Sequence, residues 1–439
     1  MTPSEFKDAG SLQSQLEFTT VRRATELIGS AELSRLCSIL VDDLRAFQGC
    51  RIALTSQHAE HIMIGLAAGQ TVGCDVLLHR TASIPDELLR AWGISAVIDS
   101  SLHVTRIEQR NIEASGTRIL ISTSGTTGEP KLAEHSLDGL LGRVRQHPRT
   151  QDRSRWLLVY HPATFGGLQV LLTVLTTGAE LVTVTPSTIP ALSDAALAYQ
   201  PTHVSATPTF WRSFLMFLGP RTTDLHLKQI TLGGEIADES ILERLRATFK
   251  DARVSHIYAS TEAGALFSVQ DGYPGFPSTW LEAGVDGVAL RVRDGVLQVR
   301  SPRAMKRYVN MDTEAVITSD GWLITGDKVE QVGDRVLFRG REDVMLNVGG
   351  AKVQPEEVEA QLLGLPEVVE ASVYGVPNPL TGMVVGADIV LRADLMELDA
   401  RRSILAQLRR KLESYKVPRV LHFVDTIEIS PSGKKERQL

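Results

Sequence analysis

Cysteine is scarce in this chain: Cys37, Cys50 and Cys74 are the only three among 439 residues. An odd number without the close paired spacing of a ligand set argues against a disulfide framework and against a zinc site. Buried thiols in a reducing cytoplasm are the expectation instead. A dominant charge is missing too. The net charge is −6 with no long basic block, so a binder that works by neutralising a run of phosphates is not expected. No uninterrupted apolar run approaches the roughly 18–20 residues of a membrane helix. The N-terminus carries acids early and has no apolar stretch after a basic start, so no secretory leader is expected. Internal repeats and low-complexity segments are also lacking.

The length points to more than one hydrophobic core. Hydrophobic residues at 43% and charged residues at 22% are ordinary for a soluble globular chain. Between Arg51 and Tyr258, short β-branched runs alternate with longer amphipathic stretches. Strands are predicted at 52–55, 75–78, 96–98, 118–122, 156–160, 180–184, 202–205, 229–232 and 254–258. Helices are predicted at 58–68, 86–92, 168–175, 209–217 and 238–249. Such alternation implies βαβ units and largely parallel sheets. After Gly264, short strands at 288–292, 296–300, 322–324 and 335–339 are split by Gly and Asp turns, which suggests an antiparallel subdomain. From about Arg341 a compact α+β unit begins, with a helix at 355–363, strands at 370–376 and 384–391, and a long helix at 399–414. The expected fold class is α/β. A large N-terminal domain over 1–341 carries mostly parallel sheets plus a small antiparallel β subdomain, and a small α+β domain follows over 342–439.

The most informative stretch reads Ile121, Ser122, Thr123, Ser124, Gly125, Thr126, Thr127, Gly128, Glu129, Pro130, Lys131. A strand enters a loop of hydroxyls and glycines, and a lysine closes it. Glycines let backbone N–H groups approach phosphate oxygens, hydroxyls add donors, and the lysine adds charge. It is not a Walker loop, because Gly125 and Gly128 are three apart and no Gly-Lys-Ser/Thr follows. On composition alone a polar turn after a strand remains the competing reading.

Ser124 to Lys131 closely resembles the signature of the adenylate-forming (AMP-binding) enzymes: acyl- and aryl-CoA synthetases, adenylation domains of peptide synthetases, and firefly luciferase. Further blocks match in the same order: Leu232-Gly233-Gly234-Glu235, Tyr258-Ala259-Ser260-Thr261-Glu262, Thr325-Gly326-Asp327, Gly340-Arg341-Glu342-Asp343, and Pro431-Ser432-Gly433-Lys434-Lys435-Glu436-Arg437. The resemblance implies an ATP-dependent enzyme that joins a carboxylic acid to AMP, releases pyrophosphate and passes the acyl group to a thiol. Both reactants of the first step are anions, so positioning and charge neutralisation must carry it.

By the same resemblance, Thr123, Ser124, Gly125, Thr126, Thr127, Gly128 and Lys131 would cradle the phosphates. Gly233, Gly234, Glu235 and Tyr258 would border the adenine, with Tyr258 stacked on it. Asp327 and Arg341 would hold the ribose. Thr261 would donate to the α-phosphate and Glu262 would ligate Mg²⁺, which favours one or two carboxylates plus phosphate oxygens. Lys434 is the expected catalytic lysine, since Gly433-Lys434 fits the family's Gly-Lys pair better than the adjacent Lys435. The small domain would swing about Asp343, with Gly350 and Lys352 on the pantetheine side. The sequence departs from the family's habit at Leu132, Ala259 and Val344, none of which removes a proposed charge. The phosphate loop also begins early for the family.

The acyl pocket is expected around Thr164, Phe165, Gly166 and Gly264. Amino-acid-activating relatives carry an Asp after a Phe here, and this chain has Phe165-Gly166. An unpaired ammonium in a pocket is costly, so an aryl or aliphatic acid is expected rather than an α-amino acid. His161 nearby is expected to be structural. Two acceptors remain open, coenzyme A and the phosphopantetheine of a carrier protein, because both thiols share one arm. A non-catalytic nucleotide- or acyl-binding regulator is a further alternative, which Lys434, Glu262 and Asp327 argue against. A phosphoryl-transferring ATPase or kinase is another, which cleavage of ATP to AMP and pyrophosphate rather than ADP would separate. The expected assembly is a cytoplasmic monomer or homodimer, with no nucleic acid and no membrane insertion.

Overall fold

The computed structural model describes residues 11–108, 118–123, 130–144, 154–310, 316–379, 381–392, 395–430 and 432–435, and of Asp343 the backbone alone. Ser124, Gly125, Thr126, Thr127 and Gly128 therefore lie outside the described residues. The four short strands predicted after Gly264 and the alternating series before it are present, with ends shifted by a few residues.

Two large sheets carry the parallel pattern. The first runs, in spatial order, Gly264–Val269, Arg253–Ser260, Gln229–Leu232, His203–Ala206, Arg155–Leu158, Glu180–Thr183, Thr20–Arg23, Glu26–Ile28. Its six inner strands are parallel and its two edge strands antiparallel. The second has a parallel centre made of Arg118–Thr123, Asp75–Leu78, Arg51–Leu54 and Ile94–Ile98. Between the sheets lie the helices Ala59–Val72 and Phe165–Thr177. The first of these is buried almost all round, at Ile62, Met63, Ile64 and Leu66 among others, as a helix apolar on every side must be. Leu168, Leu171, Leu172 and Leu175 of the second join the same core. That helix is framed at both ends. The Thr164 hydroxyl accepts from the Gly167 N–H at 3.2 Å, and Gly178 closes it in the left-handed region. The opposite face of the first sheet packs Val204, Ile230 and Leu232 against Phe210, Trp211, Leu242 and Leu245.

The predicted antiparallel subdomain is a five-stranded sheet made of Phe276–Pro277, Arg335–Arg341, Leu323–Val332, Val296–Arg300 and Ala289–Arg293. The C-terminal unit is a three-stranded sheet, Val368–Asn378, Gly382–Leu391 and Val420–Phe423, with helices Pro355–Leu363 and Glu397–Lys411 over a core of Val358, Leu362, Ile389, Ile404 and Leu408. Among the described residues, no helix is long and apolar enough to cross a membrane. All three cysteines are buried, and burial pushes the thiols of Cys37 and Cys74 up to about 11 and about 12.

Several elements escaped the sequence reading. Lys131–Ser136 pairs as a strand antiparallel to Arg118–Thr123. That strand carries Glu134 and His135, both buried. Glu134 is admitted because Arg118 meets it at 2.7 Å and Arg307 at 3.2 Å. Thr20–Arg23 inserts beside Glu180–Thr183, where Arg22 meets Glu180 at 2.9 Å. Neither pairing has a local periodic signal.

The turn between Arg253–Ser260 and Gly264–Val269 carries Glu262, and its geometry requires glycine at 264. There φ is +76°, and a Cβ would lie 2.2 Å from the Arg303 carbonyl oxygen. Gly264→Ala should therefore destabilise the protein by about 2 kcal/mol or more. A thermal melt unchanged by the substitution would contradict this account of the turn.

Candidate active site

At the carboxyl ends of the parallel strands, where open α/β sheets place their ligands, a cavity of about 740 Å³ opens. Thr123 and Lys131 border it from the second sheet. Gly233, Gly234, Thr261 and Glu262 border it from the first, Arg341 from the antiparallel sheet, and Lys434 from the C-terminal turn. Residues as far apart in sequence as Thr123 and Lys434 thus border one cavity. A second arm of the cavity runs under the helix Phe165–Thr177, past Thr164, Phe165 and Gly166.

The Thr261–Glu262 segment is held from both sides. Tyr308 donates its hydroxyl to Glu262 Oε1 at 2.8 Å, and the Met305 N–H donates to the Glu262 carbonyl at 2.8 Å. His135 approaches the Thr261 carbonyl with Nε2 at 2.7 Å. Burial pushes the His135 pKa down to about 4, so at neutral pH the ring is uncharged and Nε2–H is the donor. Burial and the Glu262 carboxylate together raise the Tyr308 phenol above its ordinary value, so it stays a donor. Lys131 Nζ stands 5.8 Å from the Tyr308 ring centre. The result is a carboxylate fixed on the cavity wall.

Asp327 sits behind this wall. Tyr258 donates its hydroxyl to Asp327 Oδ2, and Arg341 approaches Oδ1 at 3.6 Å. Burial raises the Asp327 carboxyl above its ordinary value, while Tyr258, Arg341 and Lys434 pull it back. The Tyr258 ring packs 4.9 Å from Phe338 and 5.4 Å from Phe267. It is therefore braced in the fold, and neither Tyr258 nor Asp327, both expected at the nucleotide, is among the residues that border the cavity, because each is turned to the other.

The C-terminal turn enters the site through a tight approach. Gly433 adopts φ +76°, and a Cβ there would lie 3.0 Å from the Tyr160 ring and 3.1 Å from Thr207. Thr207 donates its hydroxyl to the Gly433 carbonyl. Lys434 then passes close to Gly234, whose added Cβ would stand 3.6 Å from Lys434 Cε. Lys435 points the other way and is buried. Its Nζ meets Glu370 at 2.8 Å and Glu359 at 3.4 Å, and donates to the Ala371 carbonyl at 2.6 Å. Its backbone N–H donates to Glu235 Oε1 at 2.9 Å. The other Glu235 oxygen accepts from the Thr209 N–H and hydroxyl, the latter at 2.7 Å. Arg212, also buried, joins Asp238 to Glu370. The structure thus separates the two adjacent lysines that spacing alone left side by side.

Several expected residues lie elsewhere. Glu235 holds the C-terminal turn and does not line the cavity, because both its oxygens are engaged by chain donors. Gly264 faces the Arg303 carbonyl and does not line the acyl arm, because the turn that carries Glu262 needs its φ. Gly350 and Lys352 are exposed on the hairpin Leu346–Val348 and Ala351–Val353, away from the main cavity. Asp343 falls in the single 3₁₀ turn Glu342–Val344 that follows Arg335–Arg341. His161 is structural in its contacts: Nδ1 accepts from the Ala163 N–H at 3.1 Å, and burial, aided by Arg80, pushes its pKa down to about 4. Sequence reasoning missed Arg80, His135 and Tyr308. Arg80 lines the cavity just beyond the strand Asp75–Leu78, and a basic residue at a strand's carboxyl end was the available signal. His135 and Tyr308 had none, since only the sheet pairing brings them to Thr261 and Glu262. Among the described residues, no group of three His, Cys, Asp or Glu could cage a metal ion. A lone carboxylate fits magnesium that is held mainly by phosphate oxygens.

The family model described as AMP-binding enzyme matches residues 40–309, and that described as AMP-binding enzyme C-terminal domain matches residues 357–434. A feruloyl-CoA synthase of an Amycolatopsis species is 28% identical over 95% of this chain and 94% of its own length. A fatty acid–[acyl-carrier-protein] ligase of Mycobacterium marinum is 26% identical over 87% of this chain and 78% of its own length. The solved structure of o-succinylbenzoate CoA synthetase from Bacillus subtilis, in complex with its acyl-adenylate intermediate, shares the fold with a TM-score of 0.73. It covers 97% of this chain and 96% of that one at 22% identity.

The charge arrangement around Lys435 sets a pH dependence. Burial opposes ionisation of Glu370, but Lys435 and Arg212 prevail and hold its pKa below the ordinary 4.5. Its contribution to docking is therefore complete above that value and is lost as pH falls through the lower, folded one. Burial likewise opposes the Lys435 charge, and Glu359 and Glu370 more than reverse that, so its contribution persists through neutral pH and is lost only at strongly alkaline pH. Glu370→Gln should cost about 3 kcal/mol, because it leaves buried cations short of a partner. The protection factor of the Lys435 amide should fall in that variant at pH 7, and in the unaltered protein as pH drops below the ordinary carboxylate range. Exchange insensitive to both changes would contradict the arrangement.

Proposed function

This chain belongs to the AMP-binding enzyme family of adenylate-forming acid–thiol ligases, and from that premise we propose that it activates an aryl or aliphatic carboxylic acid and transfers the acyl group to coenzyme A. The observation that carries the proposal is the meeting of Thr261, Glu262 and Lys434 at one end of a cavity whose second arm passes Phe165 and Gly166. A carboxylate oxygen of the acid attacks the α-phosphorus of ATP, forming the mixed anhydride while pyrophosphate leaves. Lys434 neutralises charge on the carboxylate and the phosphate as they close, and Thr261 donates to an α-phosphate oxygen. Thr123 and Lys131 hold the phosphate tail. Asp327 and Arg341 bind the ribose, with Tyr258 at the adenine. Magnesium, held by Glu262 and phosphate oxygens, would screen the remaining negative charge. In the second step the thiolate sulfur attacks the acyl carbon and AMP leaves.

Residues 1–341 and 342–439 are taken as the two bodies of this cycle. Lys434 serves only one of their orientations, so the second step uses another, reached by rotation at Asp343 with Gly350 and Lys352 turned toward the pantetheine. Coenzyme A as acceptor is supported by the feruloyl-CoA synthase matched over nearly the whole chain. The Mycobacterium marinum relative keeps a carrier protein as the second reading. Thioester formation from ATP and the preferred acid, with coenzyme A and with a panel of phosphopantetheinylated carrier proteins in parallel, separates the two.

Three outcomes check the assignments. Lys434→Ala should slow acid-dependent pyrophosphate release by about a hundredfold or more, while thioester formation from supplied acyl-AMP is largely kept. Equal loss in both half-reactions would refute the role. Activity should require Mg²⁺ or Mn²⁺ and weaken in Glu262→Gln, and full turnover in chelator would remove the metal from the scheme. Asp343→Pro fixes φ, so it should keep acyl-AMP formation and lose most thioester formation. Both half-reactions intact, with an unchanged melt, would show that Asp343 is an ordinary turn residue.

A further inference from the structure

The first sheet has two unlike faces, although helices cover both. A sheet buried on both sides is ordinarily apolar on both. One face here obeys that rule, with Leu157, Val204, Ala206, Ile230, Leu232 and Val254 in the apolar core. The other face, under the helix Phe165–Thr177, obeys it at Val21, Leu181 and Leu158 but breaks it over His203–Ala206, Gln229–Leu232 and Arg253–Ser260. Register places Trp156, His203, Gln229 and Arg253 in one cross-strand row, and Leu158, Ser205, Thr231 and Ser255 in the next. All but Leu158 line the cavity. Across from them the helix presents Gln169, Thr173 and Thr177 at i, i+4 spacing, also lining the cavity.

The hydroxyls of Thr231 and Ser255 are loosely engaged. Gln229 donates to Thr231 at 3.3 Å, Thr231 and Ser255 stand 3.5 Å apart, and Ser255 reaches the Ile230 carbonyl at 3.4 Å, all at the long end of hydrogen-bond geometry. Gln229 itself is tied more firmly, since its Oε1 accepts from Arg253 at 2.6 Å. Thr173 and Thr177 donate to helix carbonyls at 2.7 Å each, which leaves their oxygens as acceptors toward the cavity. The arm is also deep. From Gly233 at the nucleotide end to Gln229 at the strand's start is four residues, or about 13 Å of strand.

An occupant of this arm that was hydrocarbon throughout would cover hydroxyls and amides without offering them partners, which is unfavourable. We infer that the acid activated by this chain carries hydrogen-bonding oxygen substituents along its body, opposite Gln229, Thr231 and Ser255 on one side and Gln169 and Thr173 on the other. The inference rests on the adenylating function proposed above and adds the substrate class. An oxygenated aryl acid or an oxygenated chain satisfies it equally, since the floor offers donors and acceptors over its length. Bare fatty acids are the disfavoured class.

Matched acid pairs test this with the full-length protein, ATP and Mg²⁺, reading acid-dependent pyrophosphate release. Decanoic acid is set against ω-hydroxydecanoic acid, and cinnamic acid against para-hydroxycinnamic acid. In at least one pair kcat/KM should favour the hydroxylated member by about tenfold, the equivalent of one hydrogen bond to a polar wall. In Thr231→Val/Ser255→Ala that ratio should fall toward one, chiefly through a higher KM for the hydroxylated acid. Ser255→Ala alone, the smaller change, should move it in the same direction and serves if the double variant melts early. Release that favours the unsubstituted acid in both pairs would overturn the inference and leave the adenylating function standing. A preference that survives both variants would overturn it as well. No release with any acid would instead remove the function proposed above, and the inference with it.

Discussion

Lys435 has no direct part in the chemistry proposed for this protein, yet the geometry of the site depends on where its charge goes. Its ammonium lies between Glu359 and Glu370 and its backbone is tied to Glu235. Arg212 reaches from the large body to the same Glu370. A buried cation with two carboxylates leaves little positional freedom, because any displacement strands charge in a poorly solvated place. The neighbouring Lys434 is consequently delivered into the cavity. Ion pairs of this kind add little net stability compared with apolar packing, but they penalise wrong arrangements heavily. That suits a contact which fixes one orientation.

A second dependence runs between the two large sheets. Glu262 belongs to the first sheet's edge turn, but Tyr308 and His135, which hold that turn, belong to the second sheet's antiparallel edge. The carboxylate is thereby fixed relative to Lys131 and Thr123 of the paired strands. Gly264 makes the turn possible and Arg303 closes over it. The cavity is thus assembled from the edges of both sheets, and their relative placement is set by the shared core of helices Ala59–Val72 and Phe165–Thr177.

The same helix layer explains the acyl arm. Phe165–Thr177 turns its leucines to the core and Gln169, Thr173 and Thr177 to the cavity. The first sheet answers with polar residues on one face only. Two chemically different surfaces therefore come from alternate residues of the same strands, the usual consequence of a side-chain period of two.

Read without coordinates, the chain disclosed its α/β class, the antiparallel insertion and the C-terminal α+β unit, because strand and helix periods are local properties. Its ordered glycine, hydroxyl and lysine blocks disclosed the family through their resemblance to the AMP-binding enzymes, since such motifs are contiguous segments. What tertiary structure alone decided was everything that joins distant segments. It separated Lys434 from Lys435 by leaving one on the cavity and setting the other between Glu359 and Glu370. It moved Glu235 and Gly264 from ligand contacts to support of the site. It brought Arg80 and Tyr308 to the cavity and His135 behind Thr261, and it turned Gln229, Thr231 and Ser255 onto a covered face. In the sequence these last residues look like the polar half of ordinary amphipathic strands facing solvent. Only the packing of a helix over them makes their polarity a statement about what the cavity holds, because solvent satisfies exposed hydroxyls at no cost while a buried occupant must match them.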